Sequence, residues 1–522
     1  MADAPPAGFF LQVPTLPANP AASAPGSPFL SPKLNEALER QDSPEDEESG
    51  TKLLVMKFGG SSLATAEHLQ RVARIIQDHL AMRPVVVLSA MGKTTNKLLQ
   101  AAQRALDEEE DTSEEEVNKL REEHQEMMSA LKMTTPAEVK SLYDSLQKLL
   151  KGINELKEVS GRTRDKIASF GERISVRTFA AYFNSLRTGP VVNDLTGLVE
   201  AKALDSWDIG LLTSSGSGSA DSAHSEVEIL PKAYRNVEEY FLPLQLDYSY
   251  LPVVTGYISK DERGTITTLG RDGSDLTATV IGAAVHAAEV QIWKDVSGVL
   301  TTDPQIVPAA KPLSILTFAE AAELSSFGAK VVHPAAVLPA QLARVPICVR
   351  SSTEPQLEGT RIVAELSPSE RRGCAAVAIS SKKNITIIVL RSTRMLGQHG
   401  FLAHVFKVFE TFKVSIDVIS TSEVTVSVTL DPGFKDVDIE AMLEQFDGIA
   451  EVEQKKGMAM LTLIVVEEKS AHVLAQTFNI FKDLDVHPEM LSHASSSLNI
   501  TFIVNSDKLL PCIRSLHAAF FE

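Results

Sequence analysis

Apolar residues in the first part of the chain are grouped as expected for a parallel β-sheet covered by helices. Residues 53–56 (LLVM) and 85–88 (VVVL) form short uninterrupted apolar runs, which is typical of strands buried on both faces. The first run precedes a stretch in which Leu69, Val72 and Ile76 recur at helical spacing. Repeated strand, loop and helix units predict an α/β sandwich whose ligands bind at the carboxyl ends of the strands.

The loop after the first apolar run, residues 57–62 (KFGGSS), has the composition of a phosphate-binding turn. Glycines allow backbone N–H groups to approach oxygen atoms, a helix start favours anions, and Lys57 supplies a positive charge. Ordinary strand-to-helix turns also contain such residues. This loop alone therefore leaves both interpretations open.

A second candidate segment, residues 169–173 (SFGER), places a glycine within a helical pattern. Glycine there costs about 1 kcal/mol relative to alanine, so we expect a close backbone contact or a functional reason for it. Glu172 is a candidate for binding an ammonium group, although an isolated glutamate is more often surface charge. His333 precedes a proline, and for it we favour a structural hydrogen bond over a role as catalytic base.

A third candidate loop, residues 268–275 (TLGRDGSD), leads into a helix rich in small residues. Ser274 or Asp275 can cap that helix. Arg271 offers a planar fork of donors that suits a carboxylate or a phosphate. We therefore expect an anionic ligand near Arg271.

The last third of the chain contains an internal repeat at a constant offset of 72 residues. The matched residues are Leu402, Ala403, Phe406, Phe409, Val414 and Ser420 in the first copy and Leu474, Ala475, Phe478, Phe481, Val486 and Ser492 in the second. Each copy predicts a ferredoxin-like βαββαβ unit with alternating strands. Units of this kind commonly pair edge to edge, so we expect them to provide oligomer contacts and interface pockets.

Composition and charge narrow the class of protein. The 522 residues are too many for one core, and about two to four domains are expected. A net charge of −18 argues against a nucleic-acid-binding surface. The three cysteines are widely spaced, form no metal-binding pattern and indicate a reducing compartment. No apolar run is long enough to cross a bilayer.

Residues 1–50 have a different composition from the rest of the chain. They are rich in proline, alanine and serine and end in an acidic run, so we expect this leader to be disordered. Its acidic residues and scarcity of arginine fit a transit peptide poorly. Cytoplasm and plastid stroma both remain open as the location.

Together these motifs resemble the monofunctional aspartate kinases, particularly the plant type. In family order they are residues 57–62 (KFGGSS), 89–92 (SAMG), 170–172 (FGE), 269–275 (LGRDGSD), 293–296 (WKDV) and 328–334 (GAKVVHP). Any one of them is weak, but the ordered set is specific. The resemblance covers nearly all of residues 52–522 and implies an amino-acid kinase-family three-layer αβα sandwich followed by two ferredoxin-like ACT domains. The implied segments are a leader at 1–50, a catalytic domain at 51–370, and ACT domains at 375–453 and 456–522.

The resemblance implies transfer of the ATP γ-phosphoryl group to the β-carboxylate of L-aspartate, the first step of lysine, threonine and methionine biosynthesis. Mg²⁺ would be held mainly by the ATP phosphates. The implied catalytic residues are Lys57, Arg271 and Asp275. The implied aspartate-binding residues are Ser61, Thr95, Glu172, Arg271 and Ser274. The implied nucleotide-binding residues are Lys57, Gly59, Gly60, Ser61, Lys294, Asp295, Leu300, Gln305, Lys330 and Val331.

Three positions depart from the family pattern. Asp272 stands where glycine is usual and adds negative charge beside the expected phosphate site. Leu300 replaces a tyrosine common in bacterial members, and Gln305 replaces an arginine that contacts phosphate there. We expect the ATP contacts to be rearranged rather than lost.

The resemblance also implies inhibition by L-lysine, bound between ACT domains of two subunits. The matching positions are Met395, Gln398, Gly400, Phe401, Leu402, Ser415, Asp417, Thr421 and Ser422. Asp417 is suited to pair with an ammonium group, the alternative being that it is a turn residue and its apolar neighbours are ordinary core. An additional response to S-adenosylmethionine, and the choice between dimer and tetramer, stay open.

Two other functions are consistent with parts of the sequence. One is a different phosphotransferase of the amino-acid kinase family that acts on glutamate, carbamate or a nucleotide. The other is a non-catalytic amino-acid sensor with a degenerate kinase domain. The presence of Lys57, Glu172, Arg271 and Asp275 argues against the sensor, for which Asp272 is mild support.

Overall fold

The structure is a computed structural model. It describes residues 52–107, 110–188, 199–215, 227–270, 272–329, 332–367, 369–370, 373, 375–392, 400–430, 439–493 and 498–522, without the side chains of residues 110–113 and 188. The predicted leader and the site residues Arg271, Lys330, Val331, Met395 and Gln398 lie outside the described residues.

The described chain begins with alternating strands and helices, and four helices then follow in succession between the second and third strands. The helices are α1 (Ala66–Asp78), α2 (Thr94–Leu106), α3 (Glu110–Ala130), α4 (Ala137–Leu156), α5 (Gly161–Thr188), α6 (Pro231–Leu246), α7 (Gly273–Ala284), α8 (Phe318–Ser326), α9 (Pro334–Leu342), α10 (Phe401–Thr411), α11 (Ile439–Glu444), α12 (Ser470–Asp483) and α13 (Leu509–Phe521). The strands are β1 (Leu54–Phe58), β2 (Pro84–Leu88), β3 (Glu200–Leu204), β4 (Leu212–Thr213), β5 (Tyr250–Thr255), β6 (Ile258–Asp261), β7 (Ile266–Thr268), β8 (Glu289–Lys294), β9 (Ile315–Thr317), β10 (Ile347–Ser351), β11 (Thr360–Val363), β12 (Ala376–Arg391), β13 (Ile419–Thr421), β14 (Thr425–Leu430), β15 (Glu451–Val465), β16 (Met490–Ser492) and β17 (Asn499–Asn505).

The predicted α/β sheet is confirmed in the first part of the chain. It has eight strands in the order β3-β5-β2-β1-β8-β10-β11-β9, and the central pairs β1–β2 and β1–β8 are parallel. All residues of β1 and β2 are buried, as their uninterrupted apolar sequences require when helices cover both faces. The smaller sheet β4-β6-β7 contains the hairpin that precedes α7.

Helices pack on this sheet through apolar stripes. In α1 the residues Leu69, Val72 and Ile76 are buried, and the Thr65 side chain caps the helix by accepting from the His68 N–H. One core cluster joins residues of α1, α2, α4 and α5 to β1 and β2. Burial of these stripes, rather than helix propensity, supplies most of the stability of such helices.

The carboxyl ends of β1, β2, β5, β8 and β10 meet at one edge because these neighbouring strands are all parallel. Lys57 lies level with Val87 of β2 and Ile292 of β8. The loops that follow these strands therefore converge. Each of the three predicted site segments lies at this edge or beside it.

The C-terminal repeat forms one six-stranded sheet in the order β13-β14-β12-β15-β17-β16. The two βαββ halves are related by the predicted repeat, with α10 matching α12 and β13 matching β16. β12 and β15 are long and antiparallel, and each runs through both halves. The predicted boundary at 453–456 falls inside β15.

Because of this pairing, the first unit is inserted in the sequence between two parts of the second unit. Residues 376–382 of β12 pair with residues 460–465 of β15, whereas residues 385–391 pair with residues 451–458. Asn384 (φ 61°) and Gly457 (φ 74°) adopt left-handed conformations where the register shifts. The fourth strand of the second unit therefore comes from residues 376–382, ahead of the first unit, and not from the predicted segment 456–522.

Direct hydrogen bonds join the start of β12 to loops of the catalytic region. The Ile379 N–H donates to the Thr301 carbonyl at 2.7 Å, and the Ser380 hydroxyl donates to the Phe327 carbonyl at 2.8 Å.

Among the described helices, none has the length and apolar character needed to span a bilayer.

Candidate active site

A buried group of charges lies where β1, β8 and α7 meet. The Lys57 ammonium is 2.6 Å from one carboxylate oxygen of Asp275, and the Lys294 ammonium is 3.6 Å from the other. Asp275 is 1% exposed and lies in the first turn of α7, where the helix dipole favours an anion. Burial acts to raise the pKa of Asp275, but the two lysines outweigh it and hold the pKa below its usual value.

The loops after β1 and β2 are packed so closely that small residues are required. The Gly92 N–H donates to the Gly60 carbonyl at 2.9 Å. A Cβ on Gly60 would lie 2.7 Å from the Ala90 carbonyl oxygen, closer than packed atoms approach. Ser62 and Ser352 share a buried hydrogen bond of 2.9 Å, which ties this loop to the end of β10.

The loop after β2 also contacts α7. Ser89 and Ser274 share a hydrogen bond of 2.8 Å. Gly256, at the end of β5, makes this approach possible, because a Cβ there would lie 2.4 Å from the Ser274 Cβ. The structure thereby brings Lys57, Ser274 and Asp275, all predicted site residues, into one neighbourhood.

Glu172 lies on α5 with its carboxylate fully enclosed. One oxygen accepts from the Ala90 N–H at 3.3 Å, and the other accepts no hydrogen bond from the described residues. Burial raises the pKa of Glu172 to about 8. A buried carboxylate with a free oxygen is an unfavourable arrangement in isolation, and a bound ammonium group would relieve it.

The unusual glycine of α5 is explained by a close contact with the loop after β2. A Cβ on Gly171 would lie 2.9 Å from the Ala90 Cβ and 3.1 Å from the Thr95 hydroxyl oxygen. The predicted close backbone approach is therefore present. This contact places Thr95 and Glu172 close together, where α5 meets the loop after β2.

Other predicted nucleotide-site residues lie around the edge of the charged group. Lys294 ends β8, and Asp295 next to it is exposed. Leu300 forms a bridge with Pro312. Gln305 lines a separate cleft with Lys383 and Arg514, so the structure does not bring it to Asp275. Gly59 and Gly60 are partly buried and Ser61 is exposed.

Two further predicted residues have definite local roles. Asp272 is exposed in a left-handed conformation (φ 55°) immediately before α7, a position that glycine adopts without strain. His333 precedes α9 and its side chain accepts from the Ala335 N–H at 3.3 Å. His333 thus makes the structural hydrogen bond that we favoured over catalysis.

The predicted effector residues in the described part lie around the start of α10 and the ends of β13. Gly400 and Phe401 begin α10, whereas Ser415, Asp417, Thr421 and Ser422 are at the surface next to β13. The Asp417 carboxylate pairs with the Lys382 ammonium at 2.9 Å. The Lys382 stem also lies against Gly328, where a Cβ would be 3.1 Å from the Lys382 Cγ.

Sequence reasoning missed Lys382 and also a buried histidine, His124. Lys382 lies at the junction of the two C-terminal units, and its sequence context of consecutive lysines gives no signal of a specific partner. His124 lies in the charged stretch of residues 97–158, whose composition alone predicts a solvated helix surface. Its position among the apolar residues Leu120, Met127 and Met128 was the available signal.

Comparisons with known proteins agree over most of the chain. Residues 52–351 match the amino acid kinase family. The chain is 40% identical to "Aspartokinase 2, chloroplastic" of Arabidopsis thaliana, over 93% of this chain and 88% of that protein. It is 31% identical to "Lysine-sensitive aspartokinase 3" of Escherichia coli strain K12, over 90% of this chain and 100% of that protein.

Solved structures give the same relationship in three dimensions. The fold is similar to that of E. coli aspartokinase III in complex with aspartate and ADP in its R-state, with a TM-score of 0.72 and 29% identity over 90% of this chain and 100% of that one. It is also similar to the same enzyme in complex with lysine and aspartate in its T-state, with a TM-score of 0.69, 29% identity and the same coverage of 90% and 100%.

Proposed function

This chain belongs to the amino acid kinase family and, within it, to the aspartokinases, and on that basis we infer that it phosphorylates L-aspartate. The γ-phosphoryl group of ATP passes to the β-carboxylate, giving 4-phospho-L-aspartate and ADP. The observation that carries this proposal is the buried Lys57–Asp275–Lys294 group, with the enclosed Glu172 carboxylate on the adjoining helix α5. The two parts suit a transferring phosphoryl group and an amino-acid ammonium, respectively.

The chemistry requires charge neutralisation rather than a general base. A β-carboxylate is already ionised at neutral pH, so its oxygen attacks the γ-phosphorus directly while the bond from phosphorus to the ADP oxygen breaks. The difficulty is the approach of two anions. Lys57 and Lys294 would reduce that repulsion, and Asp275 holds both ammonium groups in place. Glu172 would bind the substrate ammonium, and Thr95 and Ser274 would orient it.

A divalent metal ion would enter the site with the nucleotide, as in other enzymes that transfer a phosphoryl group from ATP. Among the described residues, no group of three or more histidine, cysteine, aspartate or glutamate side chains is placed to hold a metal. Mg²⁺ held mainly by the ATP phosphates would supply further neutralisation of the phosphate oxygens. The Asp275 carboxylate contacts both Lys57 and Lys294, so its charge is already balanced by two lysines.

Inhibition by L-lysine would act through Asp417. Its carboxylate already pairs with an ammonium group, that of Lys382, which supports its capacity to bind the ammonium of a free lysine. The E. coli relatives named as lysine-sensitive or lysine-bound support lysine as the inhibitor. An incoming lysine would compete with Lys382 for this carboxylate.

Self-association would use the C-terminal sheet. Its terminal strands β13 and β16 carry the exposed apolar residues Ile419 and Leu491, which occupy matching repeat positions. Exposed edge strands with apolar side chains are favourable for pairing with another copy.

The names of the Arabidopsis relatives support a plastid location, which imaging of a fluorescent fusion of the whole chain would test.

The activity is tested by trapping the acyl phosphate with hydroxylamine while ADP release is measured. We expect product from aspartate and much less from glutamate, with inhibition by added lysine and a parallel trial of S-adenosylmethionine. A preference for glutamate would indicate another family member. Lysine binding without any acyl phosphate would indicate the sensor.

The charged group has its own test. Lys57→Met should abolish turnover and also destabilise the protein, because removing one member of a buried ion pair costs about 3–5 kcal/mol. Lys57→Met combined with Asp275→Asn should recover much of the stability, measured by urea unfolding, without recovering turnover. Turnover that survives in Lys57→Met would contradict the proposed role.

A further inference from the structure

Behind the proposed aspartate site, three buried polar side chains from three helices form one hydrogen-bonded series. His124 on α3, Tyr143 on α4 and Thr94 at the start of α2 are 5%, 1% and 2% exposed. The Tyr143 hydroxyl is 2.6 Å from His124 Nδ1. His124 Nε2 is 3.3 Å from the Thr94 hydroxyl oxygen, which lies 2.6 Å from the Met91 carbonyl.

The Met91 carbonyl, which is the acceptor at the end of this series, fixes which group donates in every hydrogen bond of the series. The Thr94 hydroxyl has one hydrogen, and the Met91 carbonyl can only accept, so Thr94 donates to it. Thr94 must then accept from His124, which places the imidazole hydrogen on Nε2. His124 Nδ1 in turn accepts from the Tyr143 hydroxyl. Burial lowers the pKa of His124 to about 4, which keeps this imidazole neutral and the direction constant.

The series ends on the wall of the proposed aspartate site. Ala90, one residue before Met91, donates its N–H to Glu172. Thr95, one residue after Thr94, lies with Thr94 against Gly171 of α5, at 3.1 and 3.6 Å from where a Cβ would be. The segment 90–95 is therefore held on one side by α5 and on the other by His124.

We propose that His124 is a positioning residue for aspartate binding: through Thr94 it fixes the segment 90–95 and so the geometry of Thr95 and of the N–H that binds Glu172. This inference rests on the proposed function, since it concerns the aspartate half of that site. His124 does not touch the substrate. Its neighbours Lys97 and Glu123 pair with each other at the helix surface and stay outside the series.

A small set of variants separates positioning from simple core packing. His124→Leu fills the space but donates nothing, whereas the His124→Gln amide can donate to Thr94 and accept from Tyr143. Leu146→Ala is the matched control: Leu146 is buried on α4, about one turn from Tyr143, and its loss lowers stability without removing a polar contact. Each purified full-length variant is assayed for the KM of aspartate, the KM of ATP, kcat and thermal unfolding.

We expect His124→Leu to raise the aspartate KM about tenfold, the effect of one lost buried hydrogen bond, with the ATP KM little changed. His124→Gln should stay near the wild-type aspartate KM, and Leu146→Ala should unfold at a lower temperature with an unchanged aspartate KM. Equal losses in His124→Leu and His124→Gln, or aspartate KM values that follow the unfolding temperature across all three variants, would overturn the proposal. Absence of aspartate phosphorylation in the wild type would instead contradict the proposed function.

Discussion

At the scale of single residues, Glu172 is the side chain whose environment most clearly calls for a ligand. Its carboxylate is fully buried with one oxygen unpaired among the described residues, and burial raises its pKa to about 8. In the empty site at neutral pH the protonated form therefore predominates. A positively charged amino group would reverse this balance, because an opposite charge at contact distance favours the ionised carboxylate.

Binding of aspartate should therefore release protons. At neutral pH we expect the wild type to release close to one proton per site, falling away as the pH rises past the pKa of Glu172. Calorimetry in buffers of different ionisation enthalpy measures this number directly. Glu172→Gln is the control and should release no proton from this position while binding aspartate more weakly.

Glu172 also predicts the direction in which the free energy of unfolding changes with pH. Because the folded-state pKa of Glu172 lies above the ordinary glutamate value of 4.5, its contribution to stability is complete at low pH. That contribution declines as the pH rises through the interval up to about 8. Glu172→Gln should remove this decline. An equal pH dependence of the unfolding free energy in both proteins would contradict the buried, ligand-free carboxylate.

At the scale of elements, α5 shows why a helix tolerates a residue that weakens it. Gly171 allows the helix to pass close to Ala90 and Thr95, and this contact places Glu172 beside the loop after β2. The sequence contained a usable sign of this, a glycine inside a helical pattern, but the identity of the contacting segment depends on tertiary packing. Segments far apart in sequence meet there, and no local pattern encodes that.

Gly171→Ala should accordingly be unfavourable despite the higher helix propensity of alanine. The new methyl group would lie 2.9 Å from the Ala90 Cβ, and overpacking of this kind costs about 1–3 kcal/mol, against a gain in propensity of about 1 kcal/mol. We expect a higher aspartate KM together with a loss of stability. Gly152→Ala on α4 is the matched control, since nothing lies within 4 Å of its Cβ, and it should gain stability. An improvement in Gly171→Ala would show that the close contact is not functional.

Local patterns predicted the strands and helices better than they predicted which of these elements pack together. Uninterrupted apolar runs identified β1 and β2, and small residues marked the loops at their ends, because burial on both faces and close loop packing act directly on composition. The C-terminal repeat was visible for the same reason. The pairing of residues 376–382 with the second unit was not visible in the sequence. Alternating apolar residues mark a strand, but they do not identify the strand that pairs with it.

At the scale of the whole molecule, Lys382 joins the proposed effector site to the catalytic region. Its ammonium pairs with Asp417, and its stem lies against Gly328 (φ 104°), in the loop that leads to Lys330 and Val331. One side chain thus contacts both the residue that would bind lysine and the loop predicted to bind nucleotide. A ligand that displaced its ammonium would act on both.

Removing this internal competitor should strengthen inhibition. Lys382→Met should lower the lysine concentration for half-maximal inhibition by about two- to fivefold, since exposed ion pairs are worth about 1 kcal/mol or less. Lys383→Met is the control, because it removes the same charge from the adjacent exposed residue. Inhibition should be lost in Asp417→Ala. Inhibition that persists in Asp417→Ala, or an unchanged response in Lys382→Met, would contradict competition for this carboxylate.

The nesting of the two C-terminal units has a consequence for the order in which the protein matures on the ribosome. Residues 376–382 are synthesised before the first unit, yet their partners at 460–465 emerge only after it. The early half of β12 must therefore remain unpaired until its partners at 460–465 have been synthesised. Because nascent domains generally fold as they emerge, the catalytic region can be complete while its connection to the regulatory sheet is still waiting, and lysine control should be the last property that a newly made chain acquires.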